Sequence, residues 1–341
     1  MTNLSLLVVA LLFTLVNAAS AQNTASTEDR ATSITIGETA TLEIVGFGDF
    51  TARYQEQNDD DAFSLNQVEL DVESAISENI TVALAVAYDD GAFSTGAFTV
   101  DWAAWEIGEK DNSSPFLGVT GVTIGGGQYD VPFGIDYLVY PSIDRKLVST
   151  PLVIDNTHNE WNDYGGYISA DAVWGNAVFF LANGFDFEGQ NPDGEDVITD
   201  NEWAIGGRLG ISLISEIEIG VSLADINCRT KSHDMQMAGA DLQIDISRFE
   251  LKGEYILHSF TPQRGYQYTN DGYYVQGLYR SADWYLVGRY DEFRPNQESR
   301  DIVRFSGGIG RSFSEAVELR LELQANKNVR NAAILQVAVG F

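Results

Sequence analysis

Three histidines (His158, His233, His258) and one cysteine, Cys228, are the residues best suited to hold a metal. They fall near the outer ends of expected strands with no ligand spacing among them, so no metal site is expected. The run Gly125-Gly126-Gly127 opens no helix and cradles no nucleotide phosphate. No serine and histidine share one wall in the arrangement that lipid hydrolysis needs, so neither enzyme activity nor a cofactor is expected. Charge is the chemistry that remains. The 341 residues carry 50 acidic and 20 basic side chains, a formal net charge of −30. Such a balance repels a phosphate backbone and excludes nucleic acid as a partner. A hydrophobic fraction of 44% is enough for a folded chain, and a lone cysteine leaves no internal disulfide framework. Fixed arrays of carboxylates and guanidiniums can sort ions and polar solutes, provided a scaffold holds them in place.

The scaffold shows in a period of two, which sends successive side chains to opposite faces of a strand. Val317, Leu319, Leu321, Leu323 and Ala325 share one face, with Glu318, Arg320, Glu322 and Gln324 on the other. Likewise Phe249, Leu251, Gly253, Tyr255 and Leu257 stand against Arg248, Glu250, Lys252, Glu254 and His258. The pattern predicts about sixteen strands of roughly 10 residues, the length that crosses a bilayer at a tilt. Their cores are 41–53, 63–73, 79–88, 98–108, 116–128, 163–171, 176–183, 202–213, 216–224, 234–244, 248–258, 269–280, 283–291, 302–312, 316–325 and 332–341, with the poorest alternation near Trp102 and Gly121. The fold class is therefore all-β, a transmembrane antiparallel β-barrel. Even-numbered joints are short and odd-numbered ones long, as periplasmic turns and external loops should be, and all seven prolines fall in the joints.

Ahead of the barrel, 40–341, the apolar run 4–16 and the small residues Ala19-Ser20-Ala21 read as a secretory signal over 1–21, followed by a short periplasmic tail, 22–39. No other stretch is apolar for long enough to cross as a helix. Tyr273 with Tyr279, and Trp284 with Tyr290, lie on the expected lipid face at girdle spacing. The end of the chain, with Leu335, Val337, Val339 and the terminal Phe341 on one face, resembles the membrane-insertion signal of bacterial outer-membrane barrels.

By parity Arg208, Arg248, Lys252, Arg280, Arg289, Arg304 and Arg320 face inward and form one basic arc. The third external loop, 129–162, is the longest, and it carries Phe133, Ile135, Tyr137, Leu138, Leu152, Val153 and Ile154, which a solvated loop would not choose. It is expected to fold inward and pack on the wall, where Thr81, Ala83, Ala85 and Ala87 leave room. Asp130, Asp136, Asp144, Asp155 and Glu160 would then oppose the basic arc across a constriction, setting up a transverse field.

Gly127-Gln128-Tyr129-Asp130-Val131-Pro132-Phe133-Gly134 resembles the element that follows the fifth strand in sixteen-stranded porins of the phosphate-selective and siderophore-porin families. The resemblance implies a water-filled channel, often a homotrimer, with Pro132, Phe133 and Gly134 in the constricting loop. Here the chain departs from an anion channel, since 57–61 and 186–202 add further carboxylates at the mouth, and a cation preference follows. An acidic exterior equally suits a salty habitat or divalent-ion bridging to lipopolysaccharide. The expectation is a porin of a Gram-negative outer membrane, in contact with its lipid and lipopolysaccharide, passing small hydrophilic solutes. A dedicated channel for a metal chelate such as a siderophore is the alternative.

Overall fold

A computed structural model describes residues 32–36, 40–55, 62–89, 92–106, 118–185, 188–190, 196–198, 201–228, 234–263, 266–295 and 301–340. The expected signal at 1–21, His233, the terminal Phe341 and the acidic stretch 57–61 lie outside the described residues. The strands are β1 (Thr32–Ile36), β2 (Ala40–Gln55), β3 (Ala62–Ser77), β4 (Ile80–Asp89), β5 (Ala92–Glu106), β6 (Val119–Asp130), β7 (Asn162–Ala172), β8 (Gly175–Ala182), β9 (Glu188–Gln190) and β10 (Asp196–Ile198). They continue with β11 (Asn201–Ile214), β12 (Ile217–Cys228), β13 (Asp234–Ile246), β14 (Phe249–Gln263), β15 (Tyr266–Ser281), β16 (Trp284–Arg294), β17 (Ile302–Ser314), β18 (Val317–Lys327) and β19 (Ala332–Gly340).

Each long strand pairs antiparallel with its neighbour in sequence, β8 reaches β11 past the small β9–β10 hairpin, and β19 pairs with β2. The sheet therefore closes, and no edge among the barrel strands is left to pair with another chain. One sheet holds 17 strands, of which β1 is a five-residue flap folded back on β2, so sixteen strands make the wall. A single closed sheet excludes the soluble two-sheet sandwich that would also alternate.

The alternation sorts the wall into two unlike faces. Phe305, Leu323, Leu286 and Leu223 stand exposed on the outside, whereas Arg320, Glu322 and Gln324 are buried on the inside. An apolar belt of this kind is what hydrocarbon covers. Rings flank it at two heights: Tyr290 packs on Tyr273 and Phe305 towards one end, and Phe249 packs on Tyr279 towards the other. Among the described residues no helix is long and apolar enough to cross a membrane.

At one end, two residues join β3 to β4, β7 to β8, β11 to β12, β13 to β14, β15 to β16 and β17 to β18. Ser247 and Ala282 adopt positive φ there (59° and 49°), which brings the chain round within a tight hairpin. The joint at 107–117 lies outside the described residues. Several ladders run past the expected cores at the opposite end, as β14 does to Gln263, because backbone pairing continues after the need for an apolar face has ended. Pro262 is accordingly inside β14 rather than in a joint. It sits where the β14–β15 register slips between Phe260 and Gln263, so its missing N–H costs no ladder bond. The weak alternation near Trp102 and Gly121 has a similar cause, since irregularities between Ala103 and Trp105 and between Val119 and Gly121 break the period of two.

Candidate functional site

Between β6 and β7, residues 131–161 contain only a 3-10 turn, Asp136–Val139, and one helical turn, Leu152–Asp155. Val131, Phe133, Val153 and Ile154 are fully buried, in one cluster with Phe180, Ile226, Met235, Ile256 and Tyr274 from the inward faces of β8 and β12–β15. Leu147 joins a second cluster with Leu278, Tyr285 and Val287. Polar anchors accompany the apolar ones. The Gly134 amide donates to Ser222 Oγ (3.0 Å), Ser142 Oγ to Asp49 Oδ1 (2.7 Å), the Ser149 amide to Glu322 Oε2 (2.9 Å) and the Leu152 amide to Asp291 Oδ1 (3.0 Å). Gly134 has a φ of +68°, and a Cβ there would lie 1.7 Å from Glu254 Oε1, so a side chain at this position is strained and must displace the Glu254 carboxylate.

Three of the arginines, Arg320, Arg289 and Arg304, do not stand across open water from this segment, as expected; they hold it. Arg320, 1% exposed, donates to the carbonyls of Ser142 and Ile143, to Gln336 Oε1 and to Glu318. Arg289 bridges Asp291 and the Ser149 carbonyl, and Arg304 reaches the Thr150 carbonyl. Arg208 is buried against Asp241 and Glu218. Parity speaks only of the face a side chain takes and could not show that a buried guanidinium needs acceptors, which the segment's carbonyls and wall carboxylates supply. Arg280 pairs with Glu250 near the tight turns, and Lys252 lies opposite Gln243 and Gln276. Arg248 lies exposed in the two-residue turn before β14, which starts at Phe249.

The acids also separate. Asp136 is buried beside Tyr140, whereas Asp144, near Lys146 and Arg320, and Asp155 are exposed. Partial desolvation pushes the Asp144 carboxyl up from its ordinary value while Lys146 and Arg320 pull it back. Asp130, the last residue of β6, accepts from Asn162 (2.8 Å), and Glu160 pairs with Arg145. Both project their charge on Glu69 of β3, next to Asp71. Glu69 and Asp71 lie opposite Ala87 and Ala85 in the ladder, and Asp101 continues the acidic wall on β5. The expected transverse field is thus replaced by carboxylates meeting carboxylates.

His158 and His258 are buried rather than placed at exposed loop ends. His158 Nδ1 lies 3.0 Å from Thr157 Oγ1 and its ring meets Phe133 edge-on. Burial first, and His258 second, bring its pKa down to about 3. Among the described residues no group of three or more histidines, cysteines or carboxylates is arranged to hold a metal. Sequence reasoning missed the anchors Ser142, Ser149, Ser222 and Gln336, small or neutral polar residues whose types give no warning of a long-range partner.

No family model matches the chain, and no curated protein matches it. Solved structures do. An anion-selective porin from Comamonas acidovorans superposes with a TM-score of 0.64 at 11% identity over 89% of this chain and 100% of its own. The fold is that of a bacterial outer-membrane porin. Salmonella typhi OmpF, in a complex with daunomycin, gives a porin match of TM-score 0.64 at 10% identity over 91% of this chain and 100% of that one. The trimer form of OmpT from Vibrio cholerae gives 0.60 at 10% identity, covering 89% of this chain and 100% of its own. This porin fold carries its own inner wall, since identities near a tenth leave the lumenal residues to be read from this chain alone.

Proposed function

We propose that the protein is a channel in the outer membrane of a Gram-negative bacterium, admitting small hydrophilic solutes by diffusion and preferring cations. The segment 131–161, folded into the lumen, narrows the passage, and Asp130 and Glu160 at its two ends set the sign of the field there. One observation carries the reading: Glu69, Asp71 and Asp101 face the passage while Arg208, Arg289 and Arg320 are each engaged by acceptors. A channel for an anionic metal chelate would want those guanidiniums free. The outer ring of the barrel meets lipid and lipopolysaccharide, the acidic loops bridging to the latter through divalent ions. We further propose a homotrimer, as in the form recorded for OmpT, which mass measurement in detergent tests. Liposome swelling tests the channel. Small neutral sugars should enter at rates that fall with size, and lysine should enter faster than glutamate; absence of swelling would overturn the proposal.

A further inference from the structure

On the side of the tight turns, a cleft of about 470 Å³ opens beneath the segment, between its 3-10 turn and the inward faces of β6–β8 and β11–β13. Its volume lies in the range of small-molecule sites. One side is apolar and aromatic: Tyr137 and Leu138 from the turn face Tyr167 of β7. Leu138 is 54% exposed, although Ile135, Leu147 and Leu152 in the same segment are nearly fully buried, so an apolar side chain is left bare to the lumen. The other side is acidic. Asp171, one residue before the end of β7, offers a carboxylate that accepts no hydrogen bond among the described residues; its ladder partner Asn176 donates to Glu218 (3.0 Å), which brings a second carboxylate beside it, and Asp130 lines the far end of the cleft. Among the described residues the single cation in the lining, Arg208, is engaged by Glu218 and by Asp241 behind it.

We infer that this cleft is a binding site for small organic cations, an ammonium or guanidinium group carried on a ring or short apolar chain. The cationic end would sit at Asp171, and the apolar part would lie on Leu138 between Tyr137 and Tyr167, where the ring faces attract a cation as well. A hydrated metal ion gains nothing from Leu138 and the tyrosine rings, and an anion is repelled by the carboxylates. The inference rests on the channel reading and names a solute class for it. A solute that pauses there, just past the narrowing, slows other traffic while it is bound.

The test is current block of the full chain in a planar bilayer at low salt, with tyramine as probe and tyrosol, its neutral alcohol counterpart, as control. Tyramine should interrupt the current in discrete events, at lower concentration from the turn side than from the loop side, and tyrosol should not. Asp171→Asn and the exposed-site variant Leu138→Asn should each raise the half-blocking concentration about tenfold, equivalent to about 1.4 kcal/mol. Equal block by tyrosol, or unchanged block in both variants, overturns the inference. Calorimetric titration of tyramine into the detergent-solubilised protein checks the same site should a variant insert poorly: an affinity unchanged by Asp171→Asn also overturns it. A preparation that conducts without any block refutes this inference alone, whereas one that never conducts refutes the channel itself.

Discussion

Arg320→Met removes a guanidinium and leaves a side chain of similar length. At 1% exposure Arg320 holds the carbonyls of Ser142 and Ile143, Gln336 Oε1 at 3.0 Å and the Glu318 carboxylate. Breaking a buried pair from one side costs about 3–5 kcal/mol, because the acceptors left behind stay dry and unpaired. Glu318 keeps Lys146 at 3.2 Å and Tyr285 at 2.7 Å, which places the expected loss at the lower end of that range. The loss falls on the docking of residues 142–143, because the barrel ladders run through backbone groups that the substitution leaves in place. Single-channel recording should show a larger or noisier open state, while circular dichroism keeps its β signature. Arg320→Lys restores the charge without the fork and should lie between the two. Wild-type conductance and noise in Arg320→Met, with an unchanged unfolding temperature, would refute the idea that this arginine pins the segment.

Glu69→Gln should reduce cation preference, read as a smaller reversal potential, with little effect on stability because Glu69 is only partly buried. Gly134→Ala places a methyl where Glu254 now lies, at a φ of +68° that L side chains resist, and should cost about 1–3 kcal/mol together with altered conductance; wild-type values in both assays would contradict that geometry. His158, with a pKa of about 3 in the fold against 6.5 in the open chain, binds its proton less readily when folded, so stability is lost as pH falls from about 6.5 towards 3. At pH 4.5 the deficit is about 2–3 kcal/mol. The difference in acid unfolding between the native chain and His158→Gln isolates this contribution from the carboxylates that titrate nearby, and identical acid curves would contradict it.

The barrel was legible because hydrocarbon imposes a period of two on every strand, so Val317 to Ala325 declare their faces without help from the rest of the chain. Tight turns and the positions of most prolines followed from the same rule. Within the wall, parity told which face a side chain takes and nothing of its partner. Arg320 and Arg289 therefore read as pore charges, although each is buried beneath the segment it anchors. Arg248, read as the first residue of a strand, lies in the turn before it. Phe133 and Gly134 were legible as a motif, but the reason for the glycine, its contact with Glu254 more than a hundred positions away, emerges only in three dimensions. His158 and His258 looked like scattered loop residues for want of any local signal that the chain folds over them.

The central claim, a water-filled passage whose field is set by carboxylates, is tested most directly by the reversal potential of the reconstituted protein across a tenfold potassium chloride gradient. Stepwise conductance with a reversal potential of cation-selective sign, short of the roughly 59 mV of perfect selectivity, is the predicted result. A potential of the opposite sign, or the absence of conducting steps, would contradict it.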